Sequence, residues 1–177
     1  MLNKEKLEQQ LAELPIFQYG FMKSEELVFS ERVRMICETE CPRYNTTWAC
    51  PPAVGSVDAC KAKCLEYPEL LMLSTVTEVS DIANVEEGLA TRSEHEKVTY
   101  DVAQLLKAQG CEVLVLSTES CAQCDHCAYP DAPCRKPDKM FPCVESHGIL
   151  VTDLCEKYGM EFFNGNIVTW FSLLLFR

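Results

Sequence analysis

The sequence predicts an α/β fold: a single domain over residues 1–177, with helices packed on a mixed sheet and two cysteine-rich metal loops. Three observations lead there. Segments with helical spacing alternate with short apolar runs of strand length, the pattern of helices laid on a sheet. A chain of 177 residues that is 47% hydrophobic can bury one proper core but is short for two. The twelve cysteines gather chiefly in two stretches without periodicity, before and after the central strand–helix–strand segment.

Taken in order, Leu7, Leu11 and Leu14 predict an amphipathic helix over residues 3–13 that stops before Pro15. Phe17, Tyr19 and Phe21 alternate, which predicts a strand. Residues 37–55, CETECPRYNTTWACPPAVG, hold three prolines and a glycine and read as a loop. Ser56 is placed to cap a short helix to about residue 66, with Cys60 and Cys64 one turn apart on the face that also carries Val57. LLMLSTV (70–76) has strand length. Ser93 and Glu96 suggest a capping box for a helix whose Val98, Val102 and Leu105 share a face and which Gly110 ends. CEVLVL (111–116), apolar on both faces, reads as a central strand parallel to 70–76, the two joined by a right-handed crossover. Pro142 can open a helix through Val144, Val151, Cys155 and Tyr158 that closes at Gly159, and IVTWFSLLLF (167–176) is the last strand.

The formal charge is −11, which disfavours nucleic acid and anionic membrane surfaces, since both are bound through cations. A protein partner or a small molecule remains. The apolar tail is too short for a helix spanning a bilayer, which takes about 20 residues. MLNKEKLEQQLAELPIF lacks the apolar core and small-residue cleavage site of a signal peptide, so a cytoplasmic, reducing compartment is expected, where stable disulfides are rare. The phosphate-cradling glycine loop, the G-x-S-x-G elbow and the H-E-x-x-H zinc motif are all missing.

Twelve thiols exceed what packing needs. Cys121, Cys124 and Cys127 follow C-x-x-C-x-x-C, a rhythm that aims three sulfurs at successive corners of a cubane; Cys134 follows, with Pro137 beyond it. Tetrahedral zinc more often draws two ligands from each of two knuckles, so zinc fits less well but stays open as the alternative. Cys37, Cys41 and Cys50 form a second set, C-x-x-x-C-P followed by W-A-C-P-P, in which prolines stiffen the loop after two of the thiols. This set lacks an obvious fourth ligand. Cys60 is the nearest candidate, Cys143 at a helix start is a reserve, and Cys134 could cross over from the other loop, as the late cysteine does in two-cluster ferredoxins. Cys111 and Cys155 lie on apolar faces and read as packing, as Cys64 does. His126, inside the triple-cysteine turn, reads as solvated, and His95 and His147 lie on helices with no evident partner.

The runs C-P-x-Y…W-x-C-P-P, C-x-x-C-x-x-C-x-Y-P-x-x-P-C-R-x-P and G-I-x-V together resemble a cysteine-rich prokaryotic family described only as predicted metal-binding proteins. The resemblance implies metal ligation by Cys121, Cys124, Cys127 and Cys134, and by Cys41 and Cys50 with Cys37. It supplies no reaction. The expectation is therefore an iron–sulfur protein with one or two [4Fe–4S] clusters that passes electrons to a redox protein partner. The alternatives are a zinc-stabilised interaction module, or an enzyme that binds substrate at an open cluster iron.

Overall fold

The computed structural model describes residues 2–162 and 165–177. Its strands are β1 (Gln18–Lys23), β2 (Glu69–Glu78), β3 (Val113–Leu116) and β4 (Ile167–Phe176); its α-helices are α1 (Lys4–Leu11), α2 (Glu31–Thr39), α3 (Val57–Leu65), α4 (Val85–Ala90), α5 (Arg92–Ala108) and α6 (Val151–Tyr158). The α/β class is as the pattern predicts. The strands form one sheet in the order β1-β2-β4-β3.

Strand pairing is where the expected mixed sheet changes. Every ladder is antiparallel: β1 with β2, β2 with β4, and β4 with β3. Because β2 and β3 both run against β4, they are parallel to each other, as the strand–helix–strand reading requires, but β4 lies between them. β3 is therefore an edge strand and not the central one. Its apolar character on both faces has another cause, which β2 and β4 share. In these two strands alternate residues feed two separate cores, and helices cover both. Leu70, Met72, Leu173 and Leu175 pack with Leu154 and Cys155 of α6 and Cys64 of α3. Leu71, Leu73, Leu174 and Phe176 pack with Leu7 and Leu11 of α1 and Val98, Val102 and Leu106 of α5. Each of these fully buried leucines contributes about 2 kcal/mol from apolar burial. A sheet covered on both faces writes near-continuous apolar runs instead of alternation.

Local chemistry explains most element ends. Asn3 caps α1 by accepting from the Lys6 amide at 3.0 Å, and Ser56 caps α3 by accepting from Ala59 at 3.2 Å. The capping box expected at Ser93 and Glu96 is not used: α5 starts a residue earlier, and the Ser93 hydroxyl bonds back to the Ala90 carbonyl. The face of α5 that reaches the core runs through Leu106, while Leu105 is only half-buried.

Two differences shape the cysteine-bearing end. Cys37 lies not in a loop but in the last turn of α2, a helix that Ser30 caps. The helix expected from Pro142 is broken. Glu145–His147 form a single 3₁₀ turn, Gly148 takes a left-handed φ of 74°, and α6 starts only at Val151. A Cβ on Gly148 would lie 3.0 Å from the Ser30 carbonyl oxygen and 3.1 Å from a Val57 methyl, so α2 and α3 can close on this turn only over a glycine. The segment also covers the end of β3. Ser117 donates to Pro142 at 2.8 Å and accepts from Val144 at 2.9 Å, a parallel bridge that lays Cys143 beside the sheet. Among the described residues, no helix is long and apolar enough to cross a membrane.

Candidate metal centre

Two groups of thiols stand at one end of the sheet, and all twelve cysteines are free. The C-x-x-C-x-x-C turn leaves β3 through Ser117 and carries Cys121, Cys124, Cys127 and Cys134 around one small pocket, which Trp48, Gln123 and Met140 also line. Among the described residues, no carboxylate and no imidazole faces this pocket. Burial pushes the Cys121 thiol up, and Glu96, Cys134 and Cys127 push it further. The turn is held by its own cations, which also line the pocket: Arg135 donates to the His126 carbonyl at 2.9 Å, and the Lys136 ammonium donates to the Gln123 carbonyl. These two residues thus fix the backbone that aims the sulfurs. His126 itself is exposed.

The other group draws on three segments. Cys37 comes from the end of α2, Cys41 and Cys50 from the loop after it, and Cys143 from the bridge beside β3. Cys37, Cys50 and Cys143 are buried at 8%, 4% and 8% exposure, which keeps water from competing for their sulfurs. The Cys37 thiol donates to the Glu145 carbonyl at 3.9 Å, and the Ser146 amide donates to Cys143 Sγ at 3.2 Å, so both thiols meet the same 3₁₀ turn. Burial raises the Cys37 thiol first, and Cys41, Glu145 and Cys50 add to it. Cys50 is raised by burial and, against a Thr47 hydrogen bond, by Cys41. Cys143 is raised well above its ordinary value by burial, then by Glu145 and Cys50. What joins Cys37 and Cys143 in space is the Glu145–His147 turn that both thiols contact. Thiols raised in this way stay protonated unless a cation takes the proton's place.

Cys60, the nearest candidate on sequence spacing, faces elsewhere: its thiol donates to the Val54 carbonyl at 3.3 Å and stands 3.7 Å from an Arg34 nitrogen. Its helix neighbour Cys64 is in the core, pushed up to about 12 by burial, and Cys155 is likewise buried and pushed up to about 11. Cys111 packs against the α5 side of the core. Cys134 lines the same pocket as the rest of its own turn, whereas Cys143 stands by the other group. Sequence spacing points only weakly at Cys143, because its place depends on the Ser117 bridge. The signal it does carry is the Pro142-Cys143 pair, which repeats the proline-flanked thiols of the first loop.

The two cysteine loops meet. Trp48 donates its indole N–H to the Ala132 carbonyl at 3.0 Å, the Tyr129 hydroxyl donates to Asn45 Oδ1 at 2.7 Å, and the two rings stack edge to face at 4.9 Å. Trp48 also lines the four-cysteine pocket, so one side chain of the first loop forms a wall of the second site.

Arg34 is the other long-range tie. It is buried at 6% exposure and donates to the Gly55 carbonyl at 2.6 Å and the Ser146 carbonyl at 2.5 Å, with Cys60 Sγ at 3.7 Å. It clamps α2, the end of the first cysteine loop and the Glu145–His147 turn. Its Nε has no hydrogen-bond partner, and no carboxylate pairs with it among the described residues. A buried guanidinium without a carboxylate calls for some other negative charge nearby. His147, also buried, is held down at about 4 by burial and by Arg34.

Among the described residues, no three His, Cys, Asp or Glu side chains are already gathered as an ion cage. What the donor sets offer is composition: four thiols around one pocket, and four more around a buried, charge-hungry turn. A family model with the description "Predicted metal-binding protein (DUF2284)" matches residues 20–176. No curated protein and no solved structure matches the chain.

Proposed function

Because the chain belongs to this family of predicted metal-binding proteins, we propose that it is a single-domain iron–sulfur protein whose two thiol groups each hold a [4Fe–4S] cluster, and that it passes electrons to a redox partner. The observation that carries this reading is the pocket walled by Cys121, Cys124, Cys127 and Cys134 without a carboxylate or imidazole. Sulfur-only donor sets select soft metals, and the C-x-x-C-x-x-C rhythm favours a cubane over tetrahedral zinc. For the other site we assign Cys37, Cys41, Cys50 and Cys143, and leave Cys60 out.

When bound, a cluster supplies a one-electron couple at a rigid position. The chain's own residues do the rest. Arg135 and Lys136 hold the turn's carbonyls and place positive charge beside the first group. Arg34 offsets the negative charge of the second from inside the fold. Trp48 lines the four-cysteine pocket and ties the two loops together. Burial of Cys37, Cys50 and Cys143 lowers the dielectric around the sulfurs, which with the nearby guanidinium would tune the ease of reduction of a cluster held there.

Anaerobic purification followed by absorbance, metal analysis and electron paramagnetic resonance tests the reading. A brown protein with a broad charge-transfer band, and iron and sulfide in the ratio of two cubanes, is the expected result. A colourless protein carrying stoichiometric zinc overturns it in favour of a zinc-stabilised interaction module.

A further inference from the structure

Between the first half of α5, the loop at Cys41–Arg43 and residues 119–123 lies a cavity of about 900 Å³, within the usual size of small-molecule sites. Its charge is opposite to that of the protein. The chain carries 16 Lys and Arg against 27 Asp and Glu, yet four cations (Arg43, Arg92, Lys97 and Lys139) line this cavity against two carboxylates, Glu96 and Glu119. Local inversion of sign in a chain of net charge −11 has no use in folding, since like charges brought together repel.

The cations are of two kinds. Arg92 is buried and fixed: it donates to the Ser120 carbonyl at 2.7 Å and lies 3.7 Å from Glu96. Arg43, Lys97 and Lys139 are exposed and make no ion pair among the described residues. Lys139 leans over the Tyr100 ring, its ammonium 5.7 Å from the centroid. Glu96 also opposes an anion less than its formal charge suggests. Burial raises its carboxyl, against Arg92 and a hydrogen bond from Gln123 at 3.1 Å, so its oxygens are already engaged. On the rim, Val85 and Leu89 of α4 are exposed at 70% and 40%, an apolar ledge beside the charged floor.

The wall is shared with the thiols. Cys41 faces this cavity directly, and Ala122 and Gln123 of the C-x-x-C-x-x-C turn form another side of it. A molecule seated here lies against residues from both cysteine loops.

We propose that this cavity binds a small organic molecule bearing two or more anionic groups and an apolar portion, with Arg43, Lys97 and Lys139 taking the anionic groups and α4 the apolar part. The site gives the protein a small-molecule ligand of its own, beyond any protein partner. It rests on the cavity's own charges, so it holds whichever metal the thiols bind.

Titration calorimetry on the protein as purified anaerobically decides the matter, with phenyl phosphate and phenylsuccinate as probes that separate phosphate from carboxylate recognition. At least one probe is expected to bind with a dissociation constant between about 1 μM and 1 mM. Lys97→Gln and Lys139→Gln, neither of which touches a thiol, should each weaken it about tenfold, the loss of about 1.4 kcal/mol expected when one exposed charge-assisted contact goes. Lys61→Gln, on α3 across the sheet, should leave it unchanged. If neither probe binds, or if binding survives both cavity substitutions undiminished, the site does not exist. Because the readout is binding and not colour or electron transfer, a failure here leaves the iron–sulfur reading standing, and the reverse also holds.

Discussion

Arg34 takes a full charge into the interior with two carbonyls and a thiol around it, and that makes it the most exacting single residue of the cysteine-bearing end. Arg34→Lys keeps the charge but not the fork that reaches Gly55 and Ser146 together. Chemical denaturation should show a loss of about 2 kcal/mol, with weaker metal retention. Among the thiols, Cys124→Ser should abolish metal in the four-cysteine pocket and lower stability, because the remaining thiolates lose their shared cation. Full metal content in that variant would remove the turn from the ligand set. Cys143→Ser and Cys60→Ser separate the two candidates for the other group. Metal analysis should show about half the metal lost in the first and none in the second. Sequence spacing alone favours Cys60, which follows Cys50 closely while Cys143 lies far along the chain, since nothing in the chain announces that Ser117 will pair with Cys143. His95 is a different lesson. With no partner evident in sequence, it lies buried between Thr75 Oγ1 at 2.8 Å and Ser172 Oγ at 2.7 Å, held down to about 4 by burial from its ordinary 6.5. The unfolded chain therefore takes up a proton that the folded one refuses. Stability is fully present above pH 6.5 and falls as pH drops towards 4, by up to about 3 kcal/mol. His95→Gln, which keeps an amide donor and acceptor there, should flatten that part of the stability–pH curve.

At the level of elements, the hydrophobic pattern was readable wherever an element both packs and ends by local chemistry. The N-cap at Ser56 and the strand over 167–176 fall where spacing puts them. What misled were positions set by distant partners. α5 ignores the Ser93 capping box because α4 leads straight into it at Thr91. The Pro142 helix is interrupted because α2 and α3 converge on Gly148 and leave room only for a glycine with positive φ. Gly148→Ala should accordingly cost about 1–3 kcal/mol, from the left-handed backbone and a Cβ pressed on the Ser30 carbonyl. A thermal midpoint unchanged by this substitution would show that α2 yields at no cost. The edge position of β3 was not readable either. An apolar strand under two helical layers looks the same at an edge as in the centre, and only the placement of β4 distinguishes them.

Over the whole molecule, the two cores and the two thiol groups are separate constructions. The clusters on either face of the sheet include Cys64 and Cys155 but none of the eight thiols assigned to metal. Removing metal by chelation should therefore loosen residues 37–55 and 118–147 while β2 and β4 stay protected, which amide hydrogen exchange would show. Exchange that rises equally in the sheet would mean that metal and core are one cooperative unit. The Trp48–Tyr129 contact gives a simple optical report of the same loosening, since indole emission responds to its surroundings. The sheet's strand order, finally, bears on how the protein is made. β4 pairs with β2 over ten residues and supplies the one ladder of β3, so the sheet cannot close until residues 167–176 have left the ribosome. Every cysteine is translated before that moment. Throughout synthesis the thiols stand on a chain without its central strand, open to whatever metals and oxidants the compartment contains, and the order of events at birth, loading before closure or closure before loading, is decided by a strand that carries no ligand at all.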